Sequence, residues 1–467
     1  MNKLLRHLLP TLLAIPCTIV LTQTQAMAST LESLSVAAPP PARLQLPIES
    51  WQTPQGSKVL FVRKTQLPMF DLQVTFAAGS ARDDGAGGLA QLTLGMMDEG
   101  TTELDALQIA QGFDHIGAEF TKSAERDTAT ISVRSLSDAP QRDKAVALLA
   151  QVLGQPLFVE DKLPQIKDQL TSWILRRQDY ATVRANDLLY QHAFANHPYA
   201  ANSIGSASSI DALTVADLRT FHQSAFSAGN AMITLVGDLS SEQARTIAVQ
   251  VSAALPAGPA LSPLPVPSAF EPEIYHLEHP SPQALLLFAL PGVSVRHPDA
   301  PALTLANLIL GGPGTNSRLF QELRSRRGLT YGARSALIQH PESGLWTFTT
   351  QVEGKYREAT MELLEQLLQS FAEHGPSEQE LENAKQKIRG NYLLGSVSNR
   401  QISDLLHHIG FNQLPLDSRQ TFLDQVQALP LDQLKVVLKN HLKLDKLVQI
   451  SVGPSVEQLS LPEPPTG

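Results

Sequence analysis

Leu72-Gln73-Val74-Thr75-Phe76, followed through Ala78-Gly79-Ser80 by Gly87-Gly88-Leu89-Ala90-Gln91-Leu92-Thr93-Leu94-Gly95-Met96-Met97, decides the fold because its plan is written twice. The first five residues alternate as a half-buried strand does, and residues 87–97 carry apolar side chains at helical spacing. Further along, Ala284-Leu285-Leu286-Leu287-Phe288 leads through Pro291-Gly292-Val293 into a second helical pattern over residues 300–310. Each copy closes on a strand ending in glycine, Thr234-Leu235-Val236-Gly237-Asp238 and Gln449-Ile450-Ser451-Val452-Gly453. An offset of roughly 215 residues is too long for a solenoid repeat and suits a duplicated domain.

The remaining segments fill in the same scheme. Residues 123–135 read as one strand from the alternation of Ala129, Ile131 and Val133, and residues 162–177 and 183–195 as amphipathic helices. Residues 378–394 and 403–410 are their counterparts in the second copy. Mixed strands with helices on one face predict an α+β fold, twice. Between the copies, Pro256, Pro259, Pro263, Pro265, Pro267 and Pro272 stand in a nearly uncharged stretch. Proline fixes φ and lacks a donor, so this reads as an extended linker. The expected organisation is therefore a signal peptide over 1–28, an N-terminal extension over 29–45, a first domain over 46–255, a linker over 256–272 and a second domain over 273–467.

Lys3 and Arg6 precede an apolar run from Leu8 to Leu21, and Ala26-Met27-Ala28 has the small-x-small form cut by signal peptidase, making Ser29 the new N-terminus. The run is short and poorly flanked for a spanning helix, and the alternative to a cleaved leader is an uncleaved anchor. Cys17 is the only cysteine and falls inside this leader, so disulfides, thiolate ligands and a cysteine nucleophile are excluded from the processed chain. An exported chain without disulfides points to a periplasm. The net charge of −9 becomes more negative on losing the leader, which argues against nucleic acid or an anionic membrane as partner.

The pattern Gly88-Leu89-Ala90-Gln91-Leu92-Thr93-Leu94-Gly95, with Gly100-Thr101 after it, resembles the metal motif of the pitrilysin family of zinc peptidases, the family of insulin-degrading enzyme and mitochondrial processing peptidase. Where that family has Gly-x-Ala-His-x-x-Glu-His, two histidines a turn apart hold zinc and the glutamate activates its water. Here those positions are Gln91, Leu94 and Gly95, and the family's third ligand would fall near Ser172-Trp173, where no carboxylate stands. His197-Pro198-Tyr199, Ile204-Gly205 and Asn230-Ala231 continue the resemblance across nearly the whole processed chain. Of the remaining histidines, His276 and His279 point to opposite faces of a strand start, and the adjacent His407 and His408 diverge on a helix.

The second half keeps more. Gly311-Gly312-Pro313-Gly314-Thr315-Asn316-Ser317-Arg318-Leu319-Phe320 reads as a glycine-rich turn and a helix capped by Asn316 or Ser317. The helix ends near Gly328, with a strand from Leu329, so Arg324 and Tyr331 can converge. In the pitrilysin family an arginine and a tyrosine at this spacing reach across to the zinc-bearing domain and hold the substrate near the scissile carbonyl. Some bacterial members divide the work between a zinc-bearing chain and a chain that lacks zinc but keeps this pair. The resemblance thus implies a non-catalytic subunit with no cofactor of its own, supplying Arg324 and Tyr331 to a zinc-bearing partner of the same family that hydrolyses peptides. The alternatives are an inert peptide-binding or scaffolding module of the cell envelope, and a peptidase with unusual ligands.

Overall fold

Two sheets of the same plan form the protein in a computed structural model that describes residues 46–268 and 271–463. The expected leader, its cleavage site and the extension to residue 45 lie outside the described residues. In the first half, β1 (Glu49–Gln52), β2 (Lys58–Arg63) and β3 (Met69–Phe76) precede α1 (Leu89–Met96) and α2 (Ala106–Asp114). Then come β4 (Glu119–Ala124), β5 (Ala129–Leu136), α3 (Ala139–Gly154), α4 (Leu163–Gln178), α5 (Ala181–Ala193), α6 (Ala207–Ala212) and α7 (Val215–Ala225). The half closes with β6 (Ala231–Gly237) and α8 (Ser241–Ala254). The second half runs β7 (Glu273–Glu278), β8 (Gln283–Pro291), α9 (Ala300–Gly311), α10 (Arg318–Phe320), β9 (Ala333–Gln339) and β10 (Gly344–Glu353). It ends with α11 (Arg357–His374), α12 (Glu378–Leu394), α13 (Asn399–Phe411), α14 (Ser418–Ala428), α15 (Leu431–His441) and β11 (Val448–Gly453).

The strand orders are β1-β2-β6-β3-β5-β4 and β7-β11-β8-β10-β9. In each, the closing strand is parallel to the first strand of the repeated unit and antiparallel to the second: β6 pairs with β2 and β3, β11 with β7 and β8. The duplication read from sequence is thus a duplication of topology, with β1 added to the first copy. Between the halves the chain from Pro256 to Ser268 runs without helix or strand, and it is held to the first half by Ala228 N–H on Pro256 O (2.9 Å) and Gly229 N–H on Gly258 O (3.0 Å).

Each sheet has its own helices on one face: α1, α3 and α8 on the first, with α7 packed on α1, and α9 and α11 on the second, with α15 packed on α9. The opposite face is covered by a helix from the other half. Helix α13 lies on β6, β3 and β2, where Ile402, Leu406 and Ile409 meet Leu60, Val62 and Val236. Helix α5 lies on β11 and β8, where Ala185, Leu189 and Ala193 meet Leu285, Leu287 and Ile450. This exchange explains why β6 and β11 are buried at every residue and why β8 reads as a continuous apolar run: a strand covered on both faces has no solvent side to make polar.

Residues 123–135 are not one strand. The chain turns at residues 125–128, where Glu125 N–H donates to Thr128 O at 2.7 Å, and β4 and β5 form a hairpin. The turn is pressed on Gly79, whose missing side chain makes room: a Cβ there would lie 2.4 Å from Glu125 O and 2.5 Å from Arg126 O. The inward positions are Phe120, Lys122 and Ala124 on β4 but Ala129, Ile131 and Val133 on β5, so the phase flips across the turn; the alternation read from sequence belongs to β5 alone. The strand expected from Leu329 begins four residues later, at Ala333.

Candidate functional site

Helix α1 carries the three degenerate positions, and its start is held by a buried acid. Asp83 accepts the N–H groups of Gly88 (2.7 Å) and Ala90 (2.9 Å), satisfying donors that an α-helix leaves open at its N-terminus. Burial pushes the Asp83 carboxyl up to about 6, against the lowering effect of those backbone bonds. Gln91 donates its amide N–H to Ala124 O of β4 at 2.7 Å. Leu94 points into the core of the first half. Gly95 packs on α4, and a Cβ there would lie 3.3 Å from Ile166 Cγ2.

Lys122 completes the arrangement. It shares the inward-facing phase of β4 with Phe120 and Ala124, and its ammonium donates to Gly95 O at 3.0 Å and pairs with Asp98 just beyond α1. The helix is therefore fastened to β4 at both ends. This donor set does not fit a divalent cation: one neutral amide engaged with a carbonyl, one buried alkyl chain, no side chain at the third position, and a fixed positive charge beside them. Ser172 and Trp173, at the third-ligand position, are exposed on α4, and Trp173 stacks against Arg177 with 4.8 Å from the guanidinium to the ring centre. Lys122 escapes the sequence reading because it lies outside every motif; its phase on β4 is the signal that finds it.

Strand β4 is also the edge of its sheet. Since Glu125 bonds back to Thr128, the odd-numbered residues of β4 turn their backbone groups to β5 and the even-numbered ones turn outward. Gln91 thus occupies an outward carbonyl at Ala124 and leaves those of Phe120 and Lys122 open to an added strand.

In the second half the structure brings Arg324 and Tyr331 together. Helix α10 passes directly into a π turn, Gln321–Ser325, in which Arg326 N–H closes on Gln321 O at 2.9 Å, and Leu329 N–H then returns to Leu323 O at 2.9 Å. Ser317 stands at the helix start without making a side-chain cap bond. The Arg324 guanidinium lies 5.2 Å from the centre of the Tyr331 ring, a cation–π distance, and Tyr331 is 85% exposed. Glu322 pairs with Arg326 and Arg327, whereas Arg324 forms no ion pair among the described residues. Arg318 has a different part. It forks onto Glu380 at 2.7 and 2.8 Å and bonds Gly375 O at 3.1 Å, holding the Glu380 carboxyl down at about 2.

The other sequence candidates are engaged in local bonds. His276 Nδ1 meets Ser451 Oγ at 2.9 Å, His279 Nε2 meets Asp179 O at 3.0 Å and His407 Nδ1 meets Thr75 Oγ1 at 3.1 Å. The segment His197-Pro198-Tyr199 joins the halves: Tyr199 donates to Asp127 Oδ1 at 2.5 Å, and His340 of the second half reaches Asp127 Oδ2 at 2.9 Å. Tyr190 meets the far nitrogen of His340 at 3.2 Å, and Arg126 lies over the Tyr190 ring.

Comparisons with known proteins bear on the fold and its family. Residues 58–206 match the insulinase (peptidase family M16) domain, and residues 212–388 match the peptidase M16 inactive domain. A crystal structure of a peptidase M16 inactive domain from Pseudomonas fluorescens superimposes with a TM-score of 0.86 and 41% identity, covering 89% of this chain and 100% of that one. The non-peptidase homolog YmxG of Helicobacter pylori is 26% identical over 400 residues, covering 83% of this chain and 90% of that protein. An uncharacterised zinc protease of Mycobacterium leprae is 25% identical over 430 residues, covering 88% of this chain and 92% of that protein. The chain belongs to peptidase family M16.

Proposed function

We propose that this M16 chain is the non-catalytic subunit of a two-chain periplasmic zinc peptidase, in which a second M16 chain holds the zinc and the general base. The observation that carries the reading is the contrast between its two polar sites. Around α1, Gln91 and Lys122 of β4 spend themselves on the fold; on the second half, Arg324 and Tyr331 are stacked, exposed and without another side-chain partner among the described residues. A fixed guanidinium and a phenol are suited to a peptide backbone and to the oxyanion that develops at a scissile carbonyl. The substrate is an unstructured peptide, which a sheet edge binds through its backbone. The zinc and its chemistry come from the partner, and no step of the reaction passes through α1 of this chain.

The test is to mix the purified chain with an M16 chain that bears an intact His-x-x-Glu-His motif and is encoded beside it. Peptide hydrolysis is expected only in the mixture, and Arg324→Ala and Tyr331→Phe are each expected to lower kcat/KM by about 10–100-fold without weakening assembly. Full activity in either variant, or none in the wild-type mixture, would sink the reading. A peptide-holding role without catalysis is the second reading, favoured by the open backbone groups of β4. It predicts peptide binding by the chain alone and no hydrolysis in any mixture. The periplasmic address rests on residues 1–28, and the expected mature N-terminus is Ser29, checked by cell fractionation and N-terminal sequencing.

A further inference from the structure

His297, Asp299 and His441 place one ligand atom each within 4.8 Å of one another. The first two lie in the turn that enters α9, and the third ends α15, so the packing of α15 on α9 brings them together. His441 Nε2 is 2.8 Å from Asp299 Oδ2, and His297 Nδ1 is 4.0 Å from the same oxygen. The two rings stand edge to face, 5.5 Å apart between centres and at 87°.

The duplication gives this cluster a control. Asp83, six residues before α1, and Asp299, the N-cap of α9, are acids on the N-terminal side of these two helices. Asp83 is buried and spent on the N–H groups of its helix. Asp299 stands at the N-cap of α9 but makes no cap bond with its side chain, which turns to His441 instead. No Lys or Arg pairs with Asp299 among the described residues. His297 Nδ1 accepts the Asp299 N–H at 3.1 Å, so this nitrogen carries a lone pair and its proton sits on Nε2. All three side chains keep contact with solvent, at 38%, 32% and 19% exposure, leaving room for water to complete a coordination shell. His297 also lines a cavity of about 570 Å³ that has no acidic side chain in its wall.

We propose that His297, Asp299 and His441 form a binding site for a divalent transition metal, Zn²⁺ in the first place. Two imidazoles and one carboxylate are the donors that zinc takes when it keeps an open position for water, and they disfavour Mg²⁺ and Ca²⁺, which prefer oxygen alone. Zinc bonds of about 2.0–2.2 Å place neighbouring ligand atoms about 3.3–3.5 Å apart. The cluster reaches this by rotation of the His297 ring, which releases its Nδ1 lone pair from the Asp299 N–H, and a small opening of the His441–Asp299 bond. The ion takes the place of the proton between those two groups, and His441 shifts to the tautomer with its proton on Nδ1. Binding would tie the start of α9 to the end of α15. The site does not depend on the peptidase reading.

The experiment uses the full chain, stripped with a chelator and titrated with Zn²⁺ alone by calorimetry, with Co²⁺ absorption as a second probe. One equivalent is expected to bind, raising Tm by several degrees, and Co²⁺ is expected to give the visible bands of a low-coordinate site. His297→Ala, at an exposed position that leaves the fold intact, and His441→Ala should each weaken binding at least tenfold and remove the Tm shift. Absence of stoichiometric binding would overturn the proposal, as would Zn²⁺ affinity that survives in the His297→Ala/His441→Ala double variant.

Discussion

The two halves share a strand order and a helix order, yet their leading helices have come to opposite ends. In the first half, α1 is capped by a buried carboxylate, sealed into the core by Leu94 and fastened to β4 through Gln91 and Lys122. In the second half, α9 is longer and its acid is turned away toward histidines. The segment that follows it ends in an exposed arginine–tyrosine stack. The central strands tolerate little because they are buried on both faces, and packed interiors respond to single methylene changes. The polar positions around the helices answer to no such constraint. A site can therefore be dismantled on one copy and kept on the other while the topology stays the same.

The largest effect is expected from pushing α1 back toward a metal motif. Leu94→Glu buries a carboxylate beside the core of the first half and should cost about 3–5 kcal/mol in urea unfolding, with no zinc bound in return. A stable Leu94→Glu chain would mean that the first site is still open. The next largest effect concerns the exchanged helices. Leu406→Ala on α13 and Leu189→Ala on α5 each empty a fully buried position against the other half's sheet, and each should lose about 2–5 kcal/mol. Unequal losses would show that one half depends on the exchange more than the other.

The smallest effect separates the two acids. Asp83 has its folded pKa raised from 3.8 to about 6, so its favourable contribution is complete below about pH 4 and is lost as pH rises through 6. Stability should fall across that window by at most about 3 kcal/mol, the size of a two-unit shift. Asp83→Asn, which keeps an oxygen for the helix N–H groups, should flatten the slope. An unchanged slope in that variant would assign the pH dependence elsewhere.

Much of this was legible in the residues. The repeated strands, the glycine-ended closing strands and the loss of ligands at Gln91, Leu94 and Gly95 all follow from local pattern and register. The convergence of Arg324 and Tyr331 follows from the turn at Gly328, which lies between them. Three features were not legible, each for a physical reason. The 125–128 turn shifts the alternation by one residue, but its four residues Glu125-Arg126-Asp127-Thr128 include no Gly or Pro to mark it, so the hairpin hides inside one apparent strand. An amphipathic helix such as α5 or α13 shows that one face is buried but not against which sheet. His297 and His441 are joined only by the packing of α15 on α9, which no sequence spacing records.

The crossing of α5 and α13 between sheets also sets the order in which the protein can be made. A ribosome releases the whole first half long before residues 399–411, so the outer face of the first sheet, with Leu60, Val62 and Val236, waits uncovered for its helix. Contacts this distant along the chain slow folding and leave apolar surface open to aggregation in the interval. Cutting the chain within the linker would therefore not yield two soluble domains. Each fragment would carry a helix with no sheet to cover and a sheet with one bare face, and the two would refold only together.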